Sequence, residues 1–297
     1  MMPRFSAAMR DQADGLLWVS PWVIGFLAFM AVPAAMSAFY SFTDYALLEP
    51  PVWIGLDNYR AIASDKLFFL SLKNTLVYAL GTVTLGTIVS LALALLLDQP
   101  LRGRDLVRAI VFLPTLVPIV AVSLGWMWIY NPNTGLINVT LRAVGVEHPP
   151  NWLGLPGLAM GSLIFMSLWM VGSAVVIYGA ALRDVPVALR EAAAIDGAGP
   201  VSRFWNVTLP MISPAVMFNV VMSIIWSLQV FAIPYIMTKG GPNNSTLVYS
   251  MYVFRSAFEY GRMGYASALA WLQLLVTLAL TLGLLTLARR FVYYRAA

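Results

Sequence analysis

The chain has 297 residues, 60% of them hydrophobic and only 10% charged. Soluble domains carry about 25% charged residues, so this deficit excludes an ordinary soluble fold and points to a polytopic membrane protein. The net charge of +5 calls for no nucleic acid, because basic residues gather on the cytoplasmic side of membrane proteins.

Six apolar stretches, 16–40, 74–97, 109–130, 158–182, 211–237 and 266–288, each reach the roughly 20 helical residues needed to cross a bilayer. None contains Asp, Glu, Lys, Arg or His. The expected fold is therefore all-α, a single transmembrane domain over 1–297 with six membrane helices. The first stretch follows Arg4 and Arg10, as a signal peptide would. It is longer than a usual signal core and no small-x-small cleavage site follows it, so a retained helix is expected. Trp18 and Trp22 near one end, and Phe39, Tyr40, Phe42 and Tyr45 near the other, fit aromatic belts at two interfaces.

The segments between the stretches are turn-rich. Pro50-Pro51 and Gly55 mark the first outer loop, Asn131-Pro132 and Pro149-Pro150 the second. The third opens with Lys239-Gly240-Gly241-Pro242-Asn243-Asn244, a strong turn signal. The single histidine, His148, lies in the second loop, and with no cysteine in the chain no metal site is expected. Inside the stretches stand Pro114, Pro118, Pro214 and Pro234, with Gly81, Gly86, Gly125, Gly161 and Gly172. Small residues let membrane helices approach closely. Prolines can also kink helices around a cavity, and Pro114 with Pro118 predicts this for the third stretch.

An even number of spans puts both termini on one side. With the termini inside, the inner segments hold Arg4, Arg10, Arg102, Arg104, Arg108, Arg183, Arg190, Arg203, Arg289, Arg290 and Arg295, eleven of the 18 basic residues. The basic bias of cytoplasmic loops then predicts both termini in the cytoplasm of a plasma-membrane, multi-pass protein.

One polar interruption stands out between the fourth and fifth stretches, EAAAIDGAGPVSRFWNVTLP over 191–210. A short amphipathic helix is predicted over 184–196, with Val187, Leu189, Ala192, Ala193 and Ile195 against Arg190, Glu191 and Asp196. Gly197 and Gly199-Pro200 break it, since Gly accepts positive φ and Pro ends a helix before itself. A second short helix is predicted from Val201 through Val207, closed by Leu209-Pro210. Two short helices at an angle make either a surface hairpin or a knob that another protein grips.

This segment resembles the EAA loop of binding-protein-dependent ABC importer permeases. That pattern is EAA, three residues, Gly, nine residues, then I-x-L-P. Glu191, Ala192, Ala193, Gly197, Leu209 and Pro210 match it, with Val207 in place of Ile. Thr238-Lys239-Gly240-Gly241-Pro242, Phe258-Glu259-Tyr260, Gly264-Tyr265-Ala266-Ser267-Ala268, Leu113-Pro114-x-x-x-Pro118 and Trp53-x-Gly55-Leu56-x-Asn58-Tyr59 extend the likeness. They resemble sugar permeases of the maltose-transporter type, on the first-permease side of the pair. The maltose member's extra N-terminal helices and large outer domain do not appear in this sequence.

The resemblance implies a type I importer half-channel, with a peripheral first helix at 16–40 and core helices over 74–288. A second permease pairs with it, and two ATP-binding subunits grip the coupling loops of the pair, in this chain 183–210 with residues such as Asp196 and Gly199. An external solute-binding protein delivers a carbohydrate. ATP and Mg would reside on the ATPase subunits, and this chain has no G-x-x-x-x-G-K-[ST] phosphate loop of its own. It would be a non-catalytic permease with no cofactor. Carried over by position, sugar contacts fall on Thr115 and Ile119, on Trp169, Met170 and Ser173, and on Ser223, Ser227 and Val230. Asn219, Ser223, Trp226 and Ser227 would form a polar-aromatic stripe along the fifth stretch. Taken singly, each Ser or Asn there is better accounted for by interhelical hydrogen bonding.

Glycerol-3-phosphate and related polyol esters move through similar permeases and form the alternative substrate class. The mapped positions hold no Lys or Arg, which favours a neutral sugar. A self-contained secondary transporter would show intramembrane ionisable residues, and a membrane enzyme a catalytic constellation; neither pattern is present.

Overall fold

The computed structural model describes residues 7–100, 102–288 and 292, and these are mostly helical. In chain order come α1 (Ala7–Phe26), a π turn (Leu27–Ala31), α2 (Val32–Tyr40), a two-residue hairpin of β1 (Thr43–Asp44) and β2 (Val52–Trp53), and α3 (Asp57–Ala63). Then follow α4 (Lys66–Asp98), α5 (Arg104–Phe112), α6 (Ile119–Ile129), α7 (Leu136–Ala143), α8 (Pro156–Ser167) and α9 (Gly172–Arg183). The rest are α10 (Val187–Ile195), α11 (Pro200–Arg203), α12 (Leu209–Leu228), α13 (Ala232–Met237), α14 (Tyr249–Phe254) and α15 (Met263–Ala288). Arg4, Arg289, Arg290 and Arg295, used above for orientation, lie outside the described residues.

Among the described residues four helices are long and apolar enough to cross a membrane: Asp14–Tyr40, Lys66–Asp98, Pro200–Leu228 and Met263–Ala288. Two further candidates are bent pairs, Arg104–Leu116 with Ile119–Ile129 and Pro156–Met170 with Gly172–Arg183. The stretch at 109–130 is broken by 103°, at the prolines that predicted a kink there, and the stretch at 158–182, expected as one span, is bent by 48°. The first break has a local cause. A proline disfavours helical ψ in the residue before it, and Val117, before Pro118, is extended at ψ 132. Pro118 then starts α6 at its N-cap.

The fifth stretch also departs from expectation. Helix α12 ends at Leu228, and α13 follows only after a non-helical step through Phe231, at φ −137, so 211–237 is not one helix. At its other end α12 begins much earlier than expected. A π turn, Phe204–Thr208, joins α11 to α12 without interruption. Pro210 therefore lies within a continuous helix and does not close one. Proline cannot donate to the carbonyl four residues back and its ring crowds that carbonyl. The wider π turn, with Leu209 N–H bonded to Phe204 O, makes room for it.

The chain divides into two compact units. The first comprises the described part of 1–64 with 253–272. Here the Trp53-to-Tyr59 motif acquires a structural reason. The buried Asn58 amide donates to the carbonyls of Ser41 and Thr43, at 3.0 and 2.9 Å, and pins the chain leaving α2. Gly264 seats against the same backbone: an added Cβ would meet Thr43 O at 2.0 Å. In the second unit, 65–252 with 273–297, α4 is the central element and packs on α8, α9 and α12. Asp65 caps its start, accepting from Leu67 N–H at 2.8 Å. Its 33 residues span about 50 Å, well beyond a hydrocarbon core of roughly 30 Å.

Candidate functional site

Two sites emerge in the second unit. The first is the polar loop after α9. The predicted helix over 184–196 is shorter, Val187–Ile195, with Pro186 as N-cap. Its end is a Schellman motif, in which the residue after the C-cap adopts a left-handed conformation. Gly197 is that residue, at φ +82. Its N–H bonds to Ala194 O at 3.1 Å, and Ala198 N–H to Ala193 O at 2.9 Å. The chain then turns into α11, which is the start of the long helix running through Leu209 and Pro210 to Leu228.

Nothing in α10 is buried. Ile195 is 86% exposed, Val201 71% and Trp205 60%, so this polar loop carries a run of large apolar side chains on its surface. Contiguous exposed apolar surface marks interaction sites. Glu191, Ala192, Asp196, Gly197 and Gly199 are exposed, with Ala193 partly covered. Glu191 does not pair with Arg190. That guanidinium turns inward, donating to Leu182 O at 3.0 Å and Val185 O at 3.2 Å, and meeting Asp98 Oδ2 at 3.5 Å.

The second site is the layer of helix breaks. Thr115 lies in the 3-10 turn Leu113–Leu116 and Ile119 opens α6; Trp169 and Met170 lie in the 3-10 turn Leu168–Met170, just before Ser173 in α9. The two turns touch. Their closeness depends on Gly172, whose added Cβ would meet Val111 O at 2.4 Å, Phe112 Cα at 2.9 Å and Thr115 Cγ2 at 3.0 Å. Ile119, Met170 and Val230 all pack on one core cluster that includes Tyr78, Trp126, Met166 and Ile233. Three of the carried-over residues, from separate segments, thus pack on the same cluster. Trp169 is 55% exposed and meets Trp126 edge-on, with centroids 6.0 Å apart.

The expected stripe on α12 is not brought together. Trp226 is 72% exposed, whereas Asn219 and Ser227 are buried at 7% and 6%. The Asn219 amide donates to Ala215 O and the Ser227 hydroxyl to Ile224 O, one turn back in their own helix. They form no common wall with Trp226, and Ser223 is only half-buried between them. Asn219 and Trp226, seven residues apart, share a helix face, but packing covers that face at Asn219 and leaves it open at Trp226.

Sequence reasoning missed the polar residues that hold the segment 240–249. The Asn74 amide donates to Asn244 O and Leu247 O at 2.9 and 3.0 Å, and Thr75 Oγ1 accepts from Tyr249 N–H at 2.8 Å. Asn74 and Thr75 are both buried. The available signal was an adjacent Asn-Thr pair at the polar end of an apolar stretch. Asn74→Leu removes the donor from two buried carbonyls, and about 2–4 kcal/mol of stability is expected to go with it. Thermal unfolding of the detergent-solubilised protein checks this; an unchanged melting point would place the anchor elsewhere. Among the described residues, no group of three or more His, Cys, Asp or Glu side chains is placed to hold a metal ion.

Apolar discontinuous helices around a central long helix, with an exposed helix–turn–helix at one end, define a membrane permease of the type I importer class. The chain belongs to the family described as binding-protein-dependent transport system inner membrane component, which matches residues 83–294. It is 38% identical to the probable ABC transporter permease YesP of Bacillus subtilis, over 99% of this chain and 96% of YesP. The trehalose/maltose permease MalF of Thermococcus litoralis is 32% identical, over 94% of this chain and 95% of that one. The sn-glycerol-3-phosphate permease UgpA of Yersinia enterocolitica is also 32% identical, over 93% and 92%. Among solved structures, a chain of a bacterial alginate ABC transporter, in complex with an alginate pentasaccharide-bound periplasmic protein, superposes with a TM-score of 0.83. That chain is 25% identical, over 98% of this chain and 99% of its own length.

Proposed function

We propose that this chain is one of the two permeases of an ATP-driven importer that moves a carbohydrate across the plasma membrane. Its whole length, 1–297, serves as one transmembrane domain with six spans and both termini in the cytoplasm, each bent pair counting as one span. The loop 183–210 is this chain's handle for the ATP-binding subunits, two of which grip the loops of the permease pair and hold the ATP and Mg, while an external solute-binding protein delivers substrate. The observation that carries this reading is the form of the matched motif. An exposed apolar helix ends in a Schellman turn at Gly197 and passes directly into a membrane helix. Such a lever can transmit a push only if the helix behind it is unbroken, and α11 to α12 is unbroken.

Two relatives of equal identity carry sugar and glycerol-3-phosphate in their names. The break layer favours the sugar. Trp169 and Ser173 are exposed and offer an aromatic face and a hydroxyl, and no Lys or Arg stands among the mapped residues to bind a phosphate. Calorimetric titration of the cognate binding protein tests the choice. Saturable binding of a neutral oligosaccharide is expected, and binding of glycerol-3-phosphate alone would move the reading to polyol esters. Trp169→Ala should lower sugar transport about two- to tenfold, the worth of one stacking contact, with assembly intact. Ser227→Ala should have little effect, since its hydroxyl serves its own helix.

Topology is testable directly, because the chain has no cysteine to remove. Single cysteines replacing Arg104, Arg203 or Arg295 should react with impermeant reagent only from the cytoplasm. Those replacing Asp57, His148 or Asn244 should react only from outside. Outside labelling at position 203 would overturn the reading.

A further inference from the structure

Helix α10 has no buried residue, so its grip on the rest of the unit depends on a few polar ties, and the strongest is Arg190. The guanidinium reaches Leu182 O, at the end of α9, and Val185 O, in the turn that follows. Its other terminal nitrogen, Nη1, meets Asp98, the last residue of α4. Asp98 breaks a local rule. A helix C-terminus carries partial negative charge and disfavours a carboxylate, yet this one is 22% exposed, with Arg190 itself 33% exposed. A carboxylate held at an unfavourable helix end beside a facing cation is kept for a partner. A second arginine arrives at the same helix end: Arg108 of α5 donates from Nη2 to Leu97 O at 3.1 Å. Helix α5 leads straight into the 3-10 turn that holds Thr115. The cytoplasmic end of α4 is therefore a junction, tied to α10 on one side and through α5 to the helix break on the other.

We infer that Arg190 and Asp98 are positioning residues for energy coupling, carrying displacement of α10 to the end of α4 and, through Arg108, to the break beside Thr115. This inference rests on the proposed coupling role of the 183–210 loop. It adds a route to the break layer that does not pass through α12. Arginine suits the task because one planar fork serves two carbonyls and a carboxylate together.

The test uses the whole transporter, both permeases with the ATPase pair and the binding protein, reconstituted in liposomes with the sugar that protein binds. Arg190→Gln and Asp98→Asn should each retain the ATPase subunits on co-purification. Each should also raise ATP consumed per sugar moved by about fivefold or more, the lower range of a coupling free energy. The double variant should be no worse than either single one. Arg190→Lys keeps the charge but not the fork and should fall between wild type and Arg190→Gln. Wild-type ATP consumption per sugar in both single variants would overturn the inference, as would strictly additive losses. Gly197→Val run in parallel separates the two ideas. If it too binds and couples like wild type, the loop's coupling role fails. If it fails while Arg190→Gln and Asp98→Asn are normal, only the route through α4 fails.

Discussion

In Gly197→Val, the ATPase subunits no longer co-purify with the permease pair, while the chain reaches the membrane at its normal level. This expectation follows from backbone geometry alone. Gly197 stands at φ +82, and a Cβ built there meets nothing within 4 Å. The cost is therefore conformational and not steric crowding by neighbours. A β-branched residue in the left-handed region costs about 1–3 kcal/mol, and the simplest relief is to abandon the turn. The Schellman bonds from Gly197 and Ala198 would then open, and α10 would lose its angle to α11. A docked helix misplaced in this way forfeits shape complementarity with any partner groove. Losses of 1–3 kcal/mol correspond to roughly 5- to 150-fold in affinity. Gly197→Asn is the control, because Asn tolerates left-handed backbone, and it should retain most of the binding. Glu191→Lys should weaken the same contact by reversing an exposed charge on α10 without disturbing the turn. Wild-type co-purification and wild-type stimulated ATP turnover in both Gly197→Val and Glu191→Lys would show that the loop is not the handle.

Gly172→Ala should lower the melting temperature sharply and reduce the yield of folded protein. The added carbon would lie 2.4 Å from Val111 O and 2.9 Å from Phe112 Cα. Both are backbone atoms, so no side-chain rotation relieves the overlap. Helix α9 must move away from the end of α5, which separates the two 3-10 turns of the break layer. About 3 kcal/mol is expected, the upper end of what overpacking costs. Gly179→Ala in the same helix is the comparison, since its Cβ would meet nothing within 4 Å. Equal melting temperatures for the two variants would show that the breaks are not held together at Gly172.

Much of the site could be read without coordinates because its causes are local. The Gly197 turn, the bend at Val117-Pro118 and the apolar runs follow from φ preferences and transfer free energies over a few residues. The prolines misled in one place. Leu209-Pro210 reads as a stop, yet a π turn five residues wide carries the helix through it. Proline rules assume a regular i to i−4 ladder, and that ladder is what the chain alters here. The α12 stripe failed for a related reason. Periodicity places Asn219, Ser223 and Trp226 near one another on a helix surface, but cannot say which part of that surface a neighbouring helix covers.

From the sequence by itself came the membrane class, the family and the place of the polar helix–turn–helix loop, since composition, apolar length and a spaced motif are properties of contiguous chain. Tertiary structure alone decided which polar groups meet. Arg190 and Asp98 are 92 residues apart, and Asn74 lies 170 and 173 residues from the carbonyls it holds. In an apolar environment a polar group must find a partner or lose several kcal/mol, so each of these residues was bound to have one. Its identity depends on helix rotation, on close approach at Gly172 and on breaks that re-aim the chain. Those are settled only when the helices pack.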